Sequence, residues 1–247
     1  MGRMKLKRVD IERFYRLFYP QPTFIIVSGG EGEVGALTAT WVVPLSFLPP
    51  YAGVLISPER YTYKVLKSSK FFSINVLDFK YAEQASFIGN VSKRFLKNKL
   101  ERSGLHFERI EETYFVKEAS GVIICERERT YEIGDHDLFV GKVRSVYATE
   151  VFRDLWDLSS FKPLLYLGSK PGRDYRITRI FQTVGEGVEV KEPELPEFFN
   201  RFKKHREILE VARRLGVGRF EEISKVVNLP VEDVKAILEE MKRQGRI

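Results

Sequence analysis

The stretch that decides the fold is Thr38-Ala39-Thr40-Trp41-Val42-Val43-Pro44-Leu45-Ser46-Phe47-Leu48-Pro49-Pro50. It begins with strand-forming residues and is then interrupted by prolines, which cannot donate a backbone hydrogen bond to a neighbouring strand. We therefore expect the strand to end or turn outward near Pro44. Two interpretations stay open: an irregular strand exit over a core, or a backbone of small and hydroxyl residues that a flat ligand can approach closely.

The segments around this stretch predict short strands separated by short helices. Phe24 to Val27 is typical of a buried strand, and the Gly-rich residues 28–35 are typical of a flexible turn. Further strands are expected at 54–57, 71–77, 121–126 and 138–149, and helices at 9–18, 63–68, 81–89 and, rich in basic residues, 92–100. The lack of regular strand–helix alternation favours a barrel with helical insertions over a doubly wound sheet.

Composition indicates a globular protein with a basic surface. The 247 residues are 43% hydrophobic and 30% charged, with a formal net charge of +7. Such a charge suits an anionic partner (nucleic acid, an acidic lipid or a phosphate-bearing cofactor) without choosing among them. No apolar run approaches the roughly 20 residues that cross a bilayer, and the N-terminus lacks the apolar stretch of a signal peptide, so we expect a cytoplasmic protein with no membrane partner. Abundant Lys, Arg and Glu with few Asn, Gln and Cys hint at a thermophilic source.

The cysteine and histidine content argues against a disulfide, an iron–sulfur cluster and a zinc site. The one cysteine, Cys125, lies in an apolar run and is expected to be a buried structural thiol. His106, His136 and His205 share no short spacing with one another or with Cys125, so we predict no metal. Gly-x-Ser-x-Gly and P-loop motifs are also absent from the sequence, which argues against hydrolytic machinery.

Composition changes toward the C-terminus. We expect a main domain at 1–186, a linker with prolines and acidic flanks at 187–196, and a small all-α domain at 197–247. Its expected helices, at 208–215, 220–227 and 230–244, resemble a helix-turn-helix or winged-helix module, which suggests DNA binding. Glu232 and Asp233 begin the would-be recognition helix and oppose phosphate approach, so bracing of the fold or of a dimer is favoured over DNA reading.

Four segments in order carry a family resemblance. They are the opening stretch, Ser57-Pro58-Glu59-Arg60-Tyr61-Thr62, Phe72-Ser73-Ile74-Asn75-Val76-Leu77 and Gly134-Asp135-His136-Asp137-Leu138-Phe139-Val140-Gly141-Lys142-Val143. This succession resembles the flavin reductase family of FMN-binding split β-barrels, the group that includes flavoredoxins and archaeal ferric reductases, over roughly residues 18–175. The resemblance implies a mainly β split barrel with helical insertions, and a homodimer with FMN near the subunit interface.

The resemblance also implies that the FMN phosphate lies near Arg60, Thr62, Ser92 and Lys93. A phosphate dianion needs cations, hydroxyls and backbone N–H groups, and these residue types supply them. The alternative for Arg60 is a surface ion pair, and the alternative for Lys93 is the solvated face of a basic helix. Lys99 falls where the family has an Asp-Lys-Phe triplet, here with different neighbours on both sides.

The flavin ring is expected along the opening stretch, whose backbone would meet the ring's pyrimidine edge and N5. The residues that the resemblance implies for this contact are Ala39, Thr40, Trp41 and Ser46, with Asn75 and Tyr175 near the pocket. Alternatives stay open for three of them. Trp41 could pack in the core, Asn75 could make a cross-strand hydrogen bond, and Tyr175 could close the core.

His136 is the titratable group expected to act in catalysis. It lies between Asp135 and Asp137, which should raise its pKa. In the family this turn lies beside the flavin and the nicotinamide site, where an imidazolium could bind pyridine nucleotide or stabilise the reduced flavin. The alternative is an Asp–His pair that only stiffens a hairpin.

Three functions remain open on this reasoning. The first is an NAD(P)H-dependent oxidoreductase that uses bound FMN to reduce free flavin, ferric complexes or a partner protein. The second is an FMN-binding electron carrier that does not oxidise nicotinamide. The third is a flavin- or redox-sensing regulator whose C-terminal domain binds DNA.

Overall fold

The computed structural model describes residues 6, 8–30, 32–171, 177–183, 186–190, 207–208, 211–212 and 214–243. Contacts divide the chain into the compact units Met1–Glu192 and Pro193–Ile247. The division falls inside the segment expected as a linker, 187–196. The strand Glu186–Val190 occupies the first residues of that segment.

The first unit is mainly β with helical insertions, which confirms the expected class. Its strands are β1 Gln21–Pro22, β2 Phe24–Gly30, β3 Glu33–Ala39, β4 Val42–Phe47, β5 Pro50–Ile56, β6 Phe71–Val76, β7 Phe107–Ile110, β8 Thr113–Val116, β9 Gly121–Ile133, β10 His136–Ala148, β11 Leu165–Pro171, β12 Ile177–Thr183 and β13 Glu186–Val190. Its helices are α1 Tyr61–Ser68, α2 Ala82–Asn90 and α3 Lys99–Arg102, with 3₁₀ helices at Ile11–Phe18 and Phe79–Tyr81.

The described strands include a seven-stranded antiparallel sheet in the order β3-β2-β6-β9-β10-β5-β4. A second sheet has the order β1-β11-β12-β13, and β7 pairs with β8. β3 and β4 are therefore the two edges of the large sheet. The stretch 38–50 leaves one edge and enters the other, and edge strands carry backbone groups that no neighbouring strand takes up.

β2 is buried on both faces, which explains its unbroken apolar sequence. Ile25 and Val27 are fully buried in a cluster with residues of α2, whereas Ile26 belongs to a second cluster with Val54 and Phe139. A strand with core on both sides does not need alternating polar residues. Each fully buried side chain of this size contributes about 1.5–3 kcal/mol relative to its exposure.

Residues 28–30 and 33–35 belong to the paired strands β2 and β3, and not to the flexible turn expected from their glycines. β2 continues through Gly30, and β3 begins at Glu33 after Gly32 at a φ of 100°. A Cβ on Gly29 would lie 2.4 Å from the carbonyl oxygen of Glu33. The glycine at this position therefore serves the close approach of two strands.

The strand break falls at Thr40 and Trp41, so the expected break near Pro44 is wrong. β4 runs through Pro44 from Val42 to Phe47. An edge strand tolerates a residue without an N–H group, and the register with β5 shifts just after Pro44. The position of β4 at the edge is a property of the whole sheet, which the local sequence does not encode.

β9 and β10 form a long hairpin that positions His136. The charged stretch 127–132 belongs to β9, and most of its residues are solvent-accessible. Gly134, at a φ of 61°, makes the turn. His136 is the first residue of β10 and lies opposite Ile133.

The second unit is helical in its described residues. Its helices are α4 Phe220–Val227 and α5 Val231–Arg243, and residues 207–208, 211–212 and 214–215 are also helical. They share a core that includes Ile208, Ala212, Ile223 and Val234. Asn228 adopts a φ of 51° and ends α4 in the left-handed region.

Cys125 is fully buried on β9, and burial raises the pKa of its thiol to about 12. This environment is that of a structural thiol. Within the described ranges, no cluster of three or more His, Cys, Asp or Glu side chains could hold a metal ion. In the same ranges, no helix has the length and apolarity that a membrane crossing requires.

Candidate functional site

The outward edge of β3 is covered by side chains from other segments. Lys93 Nζ donates to the carbonyl oxygen of Val34 at 2.9 Å. Lys99 Nζ donates to the carbonyl oxygen of Ala36 at 2.8 Å, and Thr62 Oγ1 donates to the same oxygen at 3.0 Å. These donors take the place of a neighbouring strand, which protects the edge and fixes both lysine side chains beside α1.

Lys99 carries its ammonium group into a nearly water-free position. The residue is only 4% exposed. Burial lowers its pKa to about 7, with further contributions from the positive charges of Arg60 and Lys93. A negatively charged ligand here would favour the charged form of Lys99, so the chemistry of this position suits an anion.

α1 begins at the same place, with Arg60 immediately before its first turn. The N-terminus of a helix presents backbone N–H groups and a partial positive charge, and the first turn of α1 contains no acidic residue. Gly35 allows α1 to approach β3, because a Cβ there would lie 3.1 Å from Thr62 Cγ2. We call Arg60, which is exposed, Thr62, Lys93 and Lys99 the cationic end of the site.

One acidic side chain lies at the rim of the cationic end. Glu33 accepts a hydrogen bond from the hydroxyl of Tyr61 and lies 3.9 Å from Lys93 Nζ. Lys93 Nζ also lies 5.9 Å from the centroid of the Tyr61 ring. Glu33 is exposed, and an exposed ion pair is weak, so an arriving anion can compete with Glu33 for Lys93.

The basic segment 92–100 is not the helix that its sequence predicts. Ser92 Oγ accepts a hydrogen bond from the Arg94 N–H at 3.3 Å in a single turn, and the next helix begins only at Lys99. The hydrogen bonds from Lys93 and Lys99 to β3 hold the segment in this shape. Lys93 is therefore half-buried against an edge strand and does not lie on a solvated helix face.

Trp41 and His136 lie side by side beyond the other end of β3. Their ring centroids are 4.8 Å apart and the ring planes are inclined by 44°. The Trp41 carbonyl oxygen accepts a hydrogen bond from the Leu55 N–H at 3.0 Å, which fixes the break between β3 and β4. Tyr15, from the first 3₁₀ helix, contacts Trp41 with ring centroids 6.5 Å apart. We call Tyr15, Trp41 and His136 the aromatic end of the site.

The two aspartates that flank His136 have different surroundings, whereas both were expected to act on the imidazole. His136 Nδ1 lies 2.8 Å from Asp135 Oδ1, and this hydrogen bond lowers the pKa of Asp135. Asp137 is 5% exposed and accepts a hydrogen bond from the Tyr63 hydroxyl at 2.6 Å. Asp137 follows His136 in the strand and therefore faces the opposite side of the sheet, whereas Asp135 lies in the turn before the strand and pairs with His136.

The other residues expected along a ring are distributed over the break and β4. Ala39 is buried at the end of β3, and Thr40 is half-buried beside Trp41. Ser46 is half-buried near the far end of β4, opposite Tyr51. Chain continuity therefore brings Ala39 and Thr40 to the aromatic end and places Ser46 further along the edge strand.

Asn75 is held by hydrogen bonds within the sheet. Its Nδ2 donates to the Ile25 carbonyl oxygen at 2.9 Å and to Ser73 Oγ at 2.8 Å, and its Oδ1 accepts from the Val116 N–H at 2.9 Å. The cross-strand alternative accounts for this fully buried amide, and we leave Asn75 out of the candidate site. Tyr175 lies outside the described residues.

β3 connects the two ends and sets their separation. A chain extends by about 3.3 Å per residue in a strand, so Ala36 and Trp41 lie within roughly 17 Å of each other. An elongated ligand with an anionic group at one end and a planar ring at the other would match this arrangement.

Sequence reasoning missed Tyr15 and Tyr63 as residues of this region. Tyr15 reaches Trp41 because the first 3₁₀ helix folds back onto the strand break, which its spacing does not reveal. Tyr63 is 8% exposed and follows Thr62 in the first turn of α1. A polar aromatic side chain inside an otherwise apolar helix face is the signal that could have marked it.

Sequence comparison decides the family. The family model described as Flavin reductase like domain matches residues 14–172, which include every residue of the cationic and aromatic ends. The chain belongs to this family. The resemblance carried by the four sequence segments is thereby confirmed.

Relatives of this flavin reductase-like chain include an uncharacterized protein from Aeropyrum pernix that is 38% identical over 177 residues, 70% of this chain and 67% of that protein. A ferric-chelate reductase (NAD(P)H) from Archaeoglobus fulgidus is 25% identical over 136 residues, 54% of this chain and 78% of the relative.

Solved structures with a similar fold include flavoredoxin from Methanosarcina acetivorans, with a TM-score of 0.59, 20% identity, and coverage of 78% of this chain and 96% of that one. An FMN-binding protein from Thermus thermophilus, with bound p-hydroxybenzaldehyde, has a TM-score of 0.58, 25% identity, and coverage of 79% and 100%. These neighbours confirm the split β-barrel fold. The family match supports a flavin as the cofactor.

Proposed function

We propose that the protein is an FMN-binding oxidoreductase that uses NADH or NADPH to reduce free flavin, a ferric complex or a redox partner protein. When bound, FMN supplies the electron-accepting chemistry, and the residues of the chain bind and orient it. The observation that carries the proposal is the pairing of the cationic end with the aromatic end along β3, in a chain of the flavin reductase-like family.

The cationic end fits the phosphate of FMN. Lys93 and Lys99 supply positive charge, Thr62 supplies a hydroxyl, and the first turn of α1 supplies backbone N–H groups. The charge of Lys99 acts in a site with little water, where electrostatic attraction is screened least. Ser92 holds the turn that carries Lys93.

The aromatic end fits the flavin ring. The backbone at Ala39 and Thr40 borders this end, and Trp41 offers an apolar ring face. Asp135 engages Nδ1 of His136, so that Nε2 can face a ligand. His136 would then donate a hydrogen bond to the ring or to the nicotinamide and orient the two for electron transfer.

Flavin titration and rapid reduction test this proposal. The purified protein should turn yellow with FMN and give a saturating binding curve, and mixing with NADH or NADPH should bleach the flavin bands. Riboflavin, which lacks the phosphate, is the matched ligand control and should bind more weakly. A flat spectrum on FMN titration would contradict the proposal. Bound FMN that neither nicotinamide bleaches would indicate the electron carrier instead.

We further propose that the protein forms a homodimer. Large apolar side chains are exposed on the first 3₁₀ helix, where Ile11 is 83% and Leu17 is 75% accessible, and on the β4–β5 hairpin, where Phe47 is 94% and Leu48 is 92% accessible. Such residues suit burial against a second copy. Light scattering should give a dimer mass for the wild type and a monomer mass after Phe47→Ser with Leu48→Ser. An unchanged mass would exclude the hairpin from the interface.

DNA binding by the second unit is not favoured. The first turn of α5 contains Glu232 and Asp233, and Lys235 lies 3.5 Å from Glu232. Carboxylates at the start of a recognition helix oppose the phosphates of DNA. Salt-sensitive DNA retention that survives mutation of the cationic end would support a regulatory function instead.

A further inference from the structure

A buried hydrogen bond connects the elements that carry the two ends of the site. Tyr63 lies in the first turn of α1, next to Thr62 of the cationic end. Asp137 follows His136 of the aromatic end on β10. The Tyr63 hydroxyl lies 2.6 Å from Asp137 Oδ2, although the two residues are 74 positions apart in the sequence.

This hydrogen bond joins two largely buried residues. Tyr63 is 8% and Asp137 is 5% exposed, and the Tyr63 ring packs edge-on against Phe139 with centroids 5.4 Å apart. A buried carboxylate is costly unless it is hydrogen-bonded, and exclusion of water strengthens the bond that it makes. The start of β10 is therefore tied to the position of the Tyr63 hydroxyl.

Lys67 sets the direction of the hydrogen bond. Lys67 Nζ donates to the Tyr63 oxygen at 3.1 Å, so the one hydroxyl hydrogen of Tyr63 points at Asp137. The bond to Asp137, together with burial, raises the pKa of Tyr63, and the bond to Tyr63 raises the pKa of Lys67. Both groups stay protonated near neutral pH, so Lys67 always donates to Tyr63 and Tyr63 always donates to Asp137.

We propose that Tyr63 is a positioning residue that holds His136 in register with the anion-binding end of α1. A movement of the first turn of α1 on anion binding moves the Tyr63 hydroxyl, and Asp137 transmits this movement to His136, its neighbour on β10. Loss of the hydroxyl uncouples the two ends and leaves the ligand groups of each end in place. This inference rests on the proposed function, because it assigns Tyr63 a role in the proposed flavin site.

Tyr63→Phe tests the inference, because it removes the hydroxyl and keeps the ring in the core. Tyr147→Phe is the matched control, since Tyr147 is also on β10 and its hydroxyl lies 2.5 Å from a carboxylate oxygen of Glu111, a residue of neither end. At saturating FMN, reduction by nicotinamide should slow about tenfold in Tyr63→Phe, since small errors of placement are costly to reaction rates. The control should stay within about twofold of the wild type, the range of effects expected of an exposed hydrogen bond.

A second readout follows His136 directly. In the FMN-free protein, the imidazole NMR signals of His136 should shift when inorganic phosphate is added. The shift should disappear in Tyr63→Phe and persist in Tyr147→Phe, whereas a merely structural loss would lower thermal stability and keep the response. Wild-type behaviour of Tyr63→Phe in both readouts would overturn the inference. If Tyr63→Phe does not fold, Asp137→Asn takes its place in both experiments. Wild-type behaviour of Asp137→Asn in both readouts would likewise overturn the inference.

Failure of this inference and failure of the proposed function give different results. A wild-type protein that does not bind FMN overturns both. A wild-type protein that binds FMN and is reduced by nicotinamide, with Tyr63→Phe behaving identically, overturns the inference alone. If FMN binds but neither nicotinamide reduces it, the NMR response of His136 to phosphate tests the inference alone. A response that persists in Tyr63→Phe overturns the inference, and a response that disappears supports it.

Discussion

The cationic end and the aromatic end are built in different ways. At the cationic end, Thr62, Lys93 and Lys99 donate hydrogen bonds to an edge strand, so the same contacts complete the sheet and present positive charge. At the aromatic end, Trp41 and His136 meet through a ring contact, and the partner of His136 is an exposed aspartate. Substitutions at the cationic end should therefore act on ligand binding, whereas those at the aromatic end should act on the rate of reduction.

Lys99→Met should produce the largest effect and test the first half of this comparison. Hydrogen bonds to charged groups contribute about 1.5–3 kcal/mol, so the FMN dissociation constant should rise about 30-fold. Lys97→Met is the control, because Lys97 is an exposed lysine of the same segment and should leave the affinity unchanged. Fluorescence titration with FMN measures the dissociation constants of both variants. Equal dissociation constants in the two variants would remove Lys99 from the phosphate site.

His136→Ala tests the second half of the comparison. The rate of flavin reduction by nicotinamide should fall about tenfold, a modest value for a group that orients reactants or handles a proton, while FMN affinity changes little. His106→Ala is a matched control, since His106 also pairs with a carboxylate, that of Glu118 at 2.5 Å, and belongs to neither end. Stopped-flow absorbance at saturating FMN gives the rates. An affinity loss as large as the rate loss would erase the proposed difference between the ends.

The two ends also differ in how far the sequence predicts them. Arg60 and Thr62 lie in one short segment, and Trp41 lies in the opening stretch, so local motifs suffice to mark them. The segment that contains Lys93 and Lys99 was expected to be a basic helix, but hydrogen bonds to β3 decide the conformation of both side chains. Periodicity reports local preference and carries no information on such long-range donors.

Prediction of the fold from the sequence is limited in the same way, because long-range contacts are not visible in local patterns. The strand Phe24 to Val27 and helices α4 and α5 follow from apolar patterns that neighbouring residues share. The continuation of β4 through Pro44 does not, because tolerance of proline depends on the place of the strand in the sheet order. Asn75 satisfied a family pattern, yet its partners on β2 and β8 hold it as a structural amide.

The pH dependence of FMN affinity sharpens the comparison, because Lys99 at the cationic end titrates near neutrality. Burial and two positive neighbours lower its pKa to about 7, and a bound phosphate would raise it again by favouring the charged form. The affinity for FMN is therefore greatest below that pKa, where Lys99 is charged. It falls as the pH rises above that pKa, by about fivefold from pH 7 to pH 8. The phosphate remains mostly dianionic in this range, since its second pKa is about 6.

Lys99→Arg provides the control for the pH experiment, because a guanidinium stays charged throughout the range. FMN titrations at pH 7 and pH 8 should then give equal dissociation constants in the variant and unequal ones in the wild type. Equal values in the wild type would show that the charge of Lys99 is not linked to the ligand.

Arg60→Ala should give the smallest effect, because Arg60 lies at the exposed rim of the cationic end. Water and salt screen an exposed charge, so the FMN dissociation constant should rise only about threefold at low ionic strength. The difference from the wild type should vanish near 1 M salt, where the screening length is about 3 Å, whereas the effect of Lys99→Met should persist because Lys99 is buried. Arg60→Lys should keep most of the affinity if charge alone matters, and should lose as much as Arg60→Ala if the guanidinium binds the phosphate through two parallel hydrogen bonds. An Arg60→Ala protein with wild-type affinity at low salt would restrict the cationic end to its buried donors.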